Sequence, residues 1–246
     1  MADYLVFHLY GPMAAWGDIA VGEYRPSFAH PSKSAIIGLL AAALGIRRDE
    51  EERQNALSSA CSYAVRVDAM GTLLRDYHTI QVPSSGTGRN RRTFHTRRAE
   101  LAVTELNTIL SSRDYRCDAV YTVAITLGDE STFSIEEVVD SLRKPVFTLY
   151  LGRKSCPLAF PLLPQVISAD TVKDAMKKAH VPEEMNILIQ ENPSLVYWEG
   201  EQGGYECEQV ITRRDALLSR KRWQFSDRKE SFATVRGEED LPCTSV

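Results

Sequence analysis

Cysteine is scarce in this chain, and its few cysteines form no recognisable pattern. No CxxC pair and no Cys/His spacing typical of a zinc site occurs among them; they are Cys61, Cys117, Cys156, Cys207 and Cys243. An odd number of scattered cysteines argues against a disulfide framework and favours a reducing, cytoplasmic location. No cluster of His, Asp and Glu suggests a metal site either, so we expect neither a metal nor any other cofactor.

Long hydrophobic runs are missing as well. The longest, residues 35–46, has 12 residues, which is too short to cross a bilayer. The first thirty residues contain no basic segment followed by an apolar one, so we expect no secretory signal and no membrane association. A hydrophobic fraction of 43% and a charged fraction of 25% are typical of a folded protein with one large domain, or one domain and an appendage.

Acidic residues are absent from one window, residues 77–99, although the chain as a whole is acidic. The window holds five arginines and two histidines, whereas the net charge of the chain is −4. The window therefore carries +5 and the remainder −9. Charge segregated in this way suggests one local anionic partner rather than a generally adhesive surface.

The strongest local pattern is a strand followed by a buried helix. Tyr4 to Leu9 is apolar enough for a strand that is covered on both faces. Ser32 is a suitable N-cap for an apolar helix over residues 35–44, and Gly45 is a suitable stop. We expect the N-terminal end of this helix to be exposed and to favour an anion such as phosphate. No Gly-x-x-x-x-Gly precedes Lys33, so this is not a nucleotide-binding P-loop, and most helix starts of this kind bind only water.

The order of elements predicts an α+β, ferredoxin-like fold. Strands are expected over residues 63–68, 72–79, 115–127 and 146–151, with short helices over 49–60 and from a capping box at Ser134 to about Leu142. With the basic insertion between them, this gives a β-α-β-β-α-β pattern. Beyond it, 168–180 is expected to be helical, and 195–198, 209–211 and a segment with alternating Trp223 and Phe225 are expected to be strands.

The basic insertion, residues 82–98, is the most informative functional feature. Its turn formers and lack of helical period predict a projecting loop or long hairpin. Arginines bind phosphates and stack on bases, and Phe94 and His95 add rings, which suits single-stranded RNA. The alternative is a solvated charge run. Tyr77 and His78 lie at its base, but neighbours on a strand point to opposite faces and would not share one site.

Several blocks of sequence resemble the CasD family, the RAMP-superfamily subunit of type I-E CRISPR Cascade complexes. The blocks occur in the family's order and span most of residues 4 to 160, whereas the chain beyond about Gln165 is only loosely similar. They are Gly11-Pro12-Met13-Ala14-Ala15-Trp16-Gly17, Arg25-Pro26, Pro31-Ser32-Lys33-Ser34, Leu44-Gly45-Ile46-Arg47-Arg48-Asp49, Leu74-Arg75-Asp76-Tyr77-His78-Thr79, Tyr115-Arg116-Cys117-Asp118-Ala119 and Tyr150-Leu151-Gly152-Arg153-Lys154-Ser155-Cys156-Pro157-Leu158.

The resemblance implies a ferredoxin-like palm over residues 1–160, an inserted thumb at about 78–112, and a β-rich C-terminal extension over 161–246. It implies a non-catalytic subunit that caps the 5′ handle of the CRISPR RNA (crRNA), contacts the CasC-type backbone and CasA-type large subunits, and serves target DNA only indirectly. The residues expected to bind RNA are Arg25, Ser32, Lys33, Ser34, Tyr77, His78, Arg89, Arg91, Arg92, Phe94, His95, Arg97, Arg98, Arg153 and Lys154.

Two other functions fit the same residues. In the related type I-C systems the equivalent subunit cuts the precursor RNA, so a metal-independent endoribonuclease is the first alternative. Such an enzyme would use His with Lys and Tyr, and Tyr24, His30 and Lys33 share one loop. The second alternative is a protein-binding scaffold whose basic arm meets an acidic subunit.

Overall fold

The structure is a computed structural model, and it describes residues 1–83, 93–102, 106–189 and 194–235. The described residues form a mixed α/β protein with antiparallel sheets. In chain order the elements are β1 (Ala2–Tyr10), β2 (Met13–Ala14), β3 (Tyr24–Arg25), α1 (Lys33–Ala43), α2 (Glu51–Ala60), β4 (Cys61–Ala69), β5 (Thr72–Pro83), α3 (Arg97–Leu101), β6 (Leu106–Cys117), β7 (Val120–Leu127), α4 (Ile135–Arg143), β8 (Gln165–Ala169), α5 (Val172–Lys178), α6 (Glu183–Asn186), β9 (Ser194–Trp198), β10 (Gln209–Ser219) and β11 (Gln224–Val235).

The main sheet has seven strands in the order β10-β11-β9-β4-β7-β1-β8. The prediction that β1 is covered on both faces is confirmed. Leu5, Phe7 and Leu9 pack in one apolar cluster with α1 and α4, whereas Tyr4 and Val6 pack in another with α5. Because successive side chains of a strand point to opposite faces, a strand buried on both sides has an unbroken apolar sequence.

Helix α1 begins and ends as its sequence predicts. The Ser32 hydroxyl accepts a hydrogen bond from the Ala35 amide, at 3.1 Å. At the other end Gly45 has a φ of +73°, and the Ile46 amide donates to the Ala41 carbonyl at 2.8 Å, as in a Schellman motif. The helix α4 is likewise capped by Ser134, whose hydroxyl accepts from the Glu137 amide at 3.1 Å.

The smaller sheet consists of β2, β6 and β3, with β5 paired to β6. Strands β5 and β6 pair in an antiparallel register from Thr72↔Cys117 to Pro83↔Leu106, which makes a long hairpin. The predicted long hairpin is therefore confirmed for its described part. The expectation that this segment has no helix is wrong, because Thr96 caps a short helix, α3, through the Ala99 amide.

The predicted strand over residues 146–151 is wrong. The structure has no regular strand there, and β8 pairs with β1 at the edge of the sheet instead. The amides of Val146 and Phe147 donate to the carbonyls of Ala43 and Ala42, at 3.0 and 3.1 Å. The segment thus satisfies free carbonyls at the end of α1, an interaction that local strand propensity does not reveal.

The C-terminal third completes the main sheet. The predicted helix over 168–180 is shorter than expected, because β8 extends to Ala169 and α5 begins at Val172. Strand β9 pairs with β4, β11 with β9, and β10 with β11. Trp223 lies in the turn before β11 rather than within the strand. None of the described helices is both long and apolar enough to span a membrane.

Candidate nucleic-acid interface

The tip of the β5–β6 hairpin presents basic side chains to solvent. Arg97 and Arg98 are exposed on α3, His95 is exposed, and Phe94 is half-buried. Arg97 is partly neutralised, because it pairs with Glu100 at 2.6 Å and donates to the Gln81 carbonyl at 2.7 Å. The other predicted arginines of this arm, Arg89, Arg91 and Arg92, lie outside the described residues.

On β5, Tyr77 and His78 differ in environment. The Tyr77 side chain is 63% exposed, whereas His78 is half-buried and its Nε2 contacts the carboxylate of Asp76. As neighbours on an extended strand they project to opposite faces. Tyr77 therefore presents an exposed ring to a partner, whereas His78 is already in contact with the carboxylate of Asp76.

The base of the hairpin is fixed by a small polar cluster. Arg75 donates to both carboxylate oxygens of Asp114, at 2.8 and 3.2 Å, and the Tyr24 hydroxyl also donates to Asp114. Hydrogen bonds from Arg75 and then from Tyr24 hold the pKa of Asp114 below its usual value although the carboxylate is buried. The hydrogen bond to Asp114 likewise raises the pKa of Tyr24. The cluster ties β3 to both strands of the hairpin.

Arg153 extends this cluster to the turn that follows residue 150. Its guanidinium donates to the carbonyls of Asp114 and Arg25, at 3.3 and 3.4 Å, and lies 4.7 Å from the centre of the Tyr115 ring. The preceding Gly152 has a φ of +82°, and an added Cβ would lie 1.9 Å from the Ala15 carbonyl oxygen. The turn thus requires glycine, and it leaves Lys154 exposed.

The start of α1 is not the exposed anion site that its sequence suggests. The Lys33 amide donates to the Asp215 carboxylate at 2.9 Å, and the Lys33 ammonium pairs with Glu199 at 2.8 Å. Ser32 is buried and Ser34 is half-buried. The expectation of an exposed helix end is therefore wrong, because carboxylates from distant parts of the chain take the place of an external anion. RNA binding by Ser32, Lys33 and Ser34 stays a prediction.

A large cavity lies between α1, the β10–β11 hairpin and the turn that carries Arg153. Its volume is about 1120 Å³. Among its lining residues the arginines outnumber the acids, Asp18 and Asp215; the arginines are Arg48, Arg153, Arg213, Arg214 and Arg220. Arg153 belongs both to this lining and to the hairpin base, so it connects the cavity with the hairpin.

Sequence reasoning missed most of this cavity. Arg48, Arg213, Arg214, Arg220 and Trp223 are distant from the basic insertion in sequence, and only folding brings them against α1. One sequence signal could have indicated a basic cavity here, namely the density of basic residues around the β10–β11 turn. These residues are Arg213-Arg214 and Arg220-Lys221-Arg222. Arg213 is occupied within the protein, since it lies 3.8 Å from the centre of the Phe28 ring and 3.6 Å from Glu230.

A mixed α/β fold with a basic hairpin and an arginine-lined cavity defines a class of proteins suited to an anionic partner. Comparison with known proteins identifies the class more closely. A solved structure described as a CRISPR RNA-guided surveillance complex superposes with a TM-score of 0.65 at 26% identity, covering 98% of this chain and 93% of that chain. A crystal structure of a Cas protein gives the same TM-score at 23% identity, covering 97% of each chain, and supports the fold alone.

Sequence comparison gives the family. The family model described as CRISPR-associated protein (Cas_Cas5) matches residues 4–229. The Escherichia coli (strain K12) protein described as CRISPR system Cascade subunit CasD is 38% identical over 170 residues, which are 66% of this chain and 70% of that protein. The chain therefore belongs to the Cas5 family of CRISPR-associated proteins.

Proposed function

We propose that this chain is a non-catalytic, crRNA-binding subunit of a type I-E Cascade surveillance complex, in which it caps the 5′ handle of the guide RNA. The observation that carries the proposal is that Arg153 connects the base of the hairpin with the arginine-lined cavity. Such a path suits a single-stranded sugar-phosphate chain. The likeness to the Escherichia coli Cascade subunit supports the assignment.

The proposal includes a division of labour within the chain. Residues 1–160 act as a ferredoxin-like palm, the segment at about 78–112 as a thumb, and 161–246 as an extension that packs on the palm. The strand order β8-β1-β7-β4, with helices in the connections β1–β4 and β7–β8, supports the ferredoxin-like description. In this proposal CasC-type backbone and CasA-type large subunits flank the chain, and target DNA is served through them.

The thumb arginines provide the first test. Combined replacement of Arg89, Arg91 and Arg92 by Ala is expected to weaken guide retention and to lower the slope of log K against log salt by about 2 units, since each lost phosphate contact on a single strand removes about 0.7. The measurement is RNA affinity at several salt concentrations. Arg143→Ala, which removes one exposed arginine on α4, serves as the control. An unchanged slope in the triple variant would count against the thumb.

The alternative, a metal-independent endoribonuclease, is tested separately. We expect repeat RNA to stay intact when the purified chain is incubated with it in EDTA. His30 is fully buried, burial holds its pKa well below its usual value, and Lys33 is paired with Glu199, so neither is free to serve as the acid or base of RNA cleavage. A discrete cleavage product, absent from a His30→Gln control, would establish the enzyme instead.

A further inference from the structure

The tip of the β10–β11 hairpin carries an unusual tryptophan. Trp223 has a φ of +58°, a conformation that bulky residues rarely adopt and that the surroundings must hold in place. Its side chain is 57% exposed, whereas the other two tryptophans, Trp16 and Trp198, are buried. The guanidinium carbons of Arg48 and Arg220 lie 5.0 and 4.7 Å from the centre of its ring. The ring and both arginines line the cavity.

The two arginines lack a neutralising acid. Within the part of the chain that the structure describes, no carboxylate lies within 4 Å of Arg48 or Arg220. Burial, and then the positive charge of Arg48, lower the pKa of Arg220. Two cations held beside each other in this way favour an anion between or beside them.

A glycine in α1 makes room for this arrangement. An added Cβ on Gly38 would lie 2.5 Å from Nη2 of Arg220. Glycine is a poor helix former, and α1 after its first two residues is otherwise apolar. The Arg220 guanidinium can lie this close to α1 because Gly38 has no side chain. Gly38 therefore helps to set the position of Arg220.

We propose that Arg48, Trp223 and Arg220 form a subsite for one unstacked nucleotide of single-stranded RNA. The guanidiniums bind its phosphate, and the exposed indole and the guanidinium planes offer stacking surfaces to its base. At about 1120 Å³ the cavity exceeds the volume of about 300–1,000 Å³ typical of sites for small ligands. An RNA strand arriving along Arg153 therefore has room to enter. The inference rests on the proposed function and names a contact outside the thumb.

Crosslinking within the assembled complex tests the contact directly. Ultraviolet irradiation followed by trypsin is expected to yield guide RNA attached to the peptide of residues 223–228, which contains Trp223. Trp223→Gly should abolish that adduct. Glycine also tolerates the positive φ, so the variant is expected to fold.

Affinity measurements on the full chain, with a synthetic RNA of the handle sequence, give the size of the effect. Trp223→Gly is expected to raise Kd about fivefold to 150-fold, the range for loss of one base–aromatic stack. Arg220→Ala should raise Kd in the same direction, whereas Arg222→Ala, at an exposed position in the same turn that does not line the cavity, should leave it within twofold. Gly38→Ala should weaken binding by displacing Arg220 while leaving the thermal midpoint unchanged or higher.

The possible outcomes separate this inference from the proposed function. If other peptides of this chain crosslink to RNA, but the Trp223 peptide does not and Trp223→Gly binds RNA as the wild type does, the subsite is overturned and the capping function stands. If Trp223 crosslinks only to a protein subunit, the subsite is likewise overturned. If no peptide of the chain crosslinks to RNA, the proposed function fails as well.

Discussion

Replacing Arg228 by methionine is expected to lower the free energy of unfolding by about 3–5 kcal/mol, because it removes the nearest cation from two buried carboxylates. Arg228 pairs with Asp215 at 2.6 Å, with Glu230 at 2.6 Å and with Glu199 at 3.5 Å. The side chains of Arg228 and Asp215 are each 7% exposed, and that of Glu230 is fully buried. Burial alone would lower the pKa of Arg228, but the carboxylates of Asp215 and Glu230 raise it above its usual value.

Urea denaturation measures the loss, and a second arginine provides the control. Arg143 pairs with Asp140 at 3.5 Å on the surface, where the two side chains are 59% and 78% exposed. Arg143→Met is therefore expected to change stability by less than about 1 kcal/mol. A loss of under 1 kcal/mol for Arg228→Met would show that Asp215 and Glu230 are adequately solvated without the arginine.

The replacement Arg228→Met should also weaken RNA binding at the candidate interface. Asp215 both pairs with Arg228 and accepts the Lys33 amide at the start of α1, so it connects two walls of the cavity. With Arg228 gone, Asp215 loses its nearest cation, and the β10–β11 hairpin is held less firmly against α1. We expect weaker RNA binding in Arg228→Met, but as a consequence of lost order rather than of a lost phosphate contact, so the salt slope should stay as in the wild type.

Lowering the pH from 7 to 5 is expected to lower the free energy of unfolding by up to about 4 kcal/mol, through two buried histidines. Burial lowers the pKa of both His8 and His30 below the ordinary value of 6.5. The unfolded state therefore takes up protons at a higher pH than the folded state does. The contribution of the two histidines to stability is fully present above pH 6.5. It is lost as the pH falls toward their folded-state pKa values. Burial raises the pKa of Glu230, which opposes part of this slope.

The free energy of unfolding, measured at several pH values, gives the slope of stability against pH and checks this prediction. His8→Gln and His30→Gln should each flatten it, whatever their effect on stability at pH 7, because glutamine does not titrate. His95→Gln, at an exposed position, should leave the slope unchanged. If neither buried variant flattens the slope, the histidines are protonated in the folded protein and the linkage argument fails.

Elements governed by nearby residues could be predicted from the sequence. The cap of α1 at Ser32, its glycine stop at Gly45 and the cap of α4 at Ser134 depend on hydrogen bonds within a few residues. Strand β1 could be predicted because burial on both faces leaves an unbroken apolar run. The long hairpin could be predicted from its turn formers and from the strand-like sequences that flank them.

Features that depend on distant partners could not be predicted. Residues 146–151 have a sequence suited to a strand, but their amides meet the end of α1, and β8 takes the edge of the sheet. The start of α1 seemed open because Asp215, 182 residues later in the chain, is not visible in the local pattern. The cavity arginines and Trp223 were missed for the same reason. The thumb arginines Arg89, Arg91 and Arg92 stay predictions.

The pairing of β9 with β4 has a consequence for the chain during its own synthesis. Strand β4 is buried along nearly its whole length, yet one of its edges is covered only by residues 194–198. Until those residues have emerged from the ribosome, the nascent protein carries an open row of backbone amides and carbonyls beside an apolar face, a template for aggregation. Synthesis of the last quarter of the chain therefore covers this edge of β4 and removes the template for aggregation.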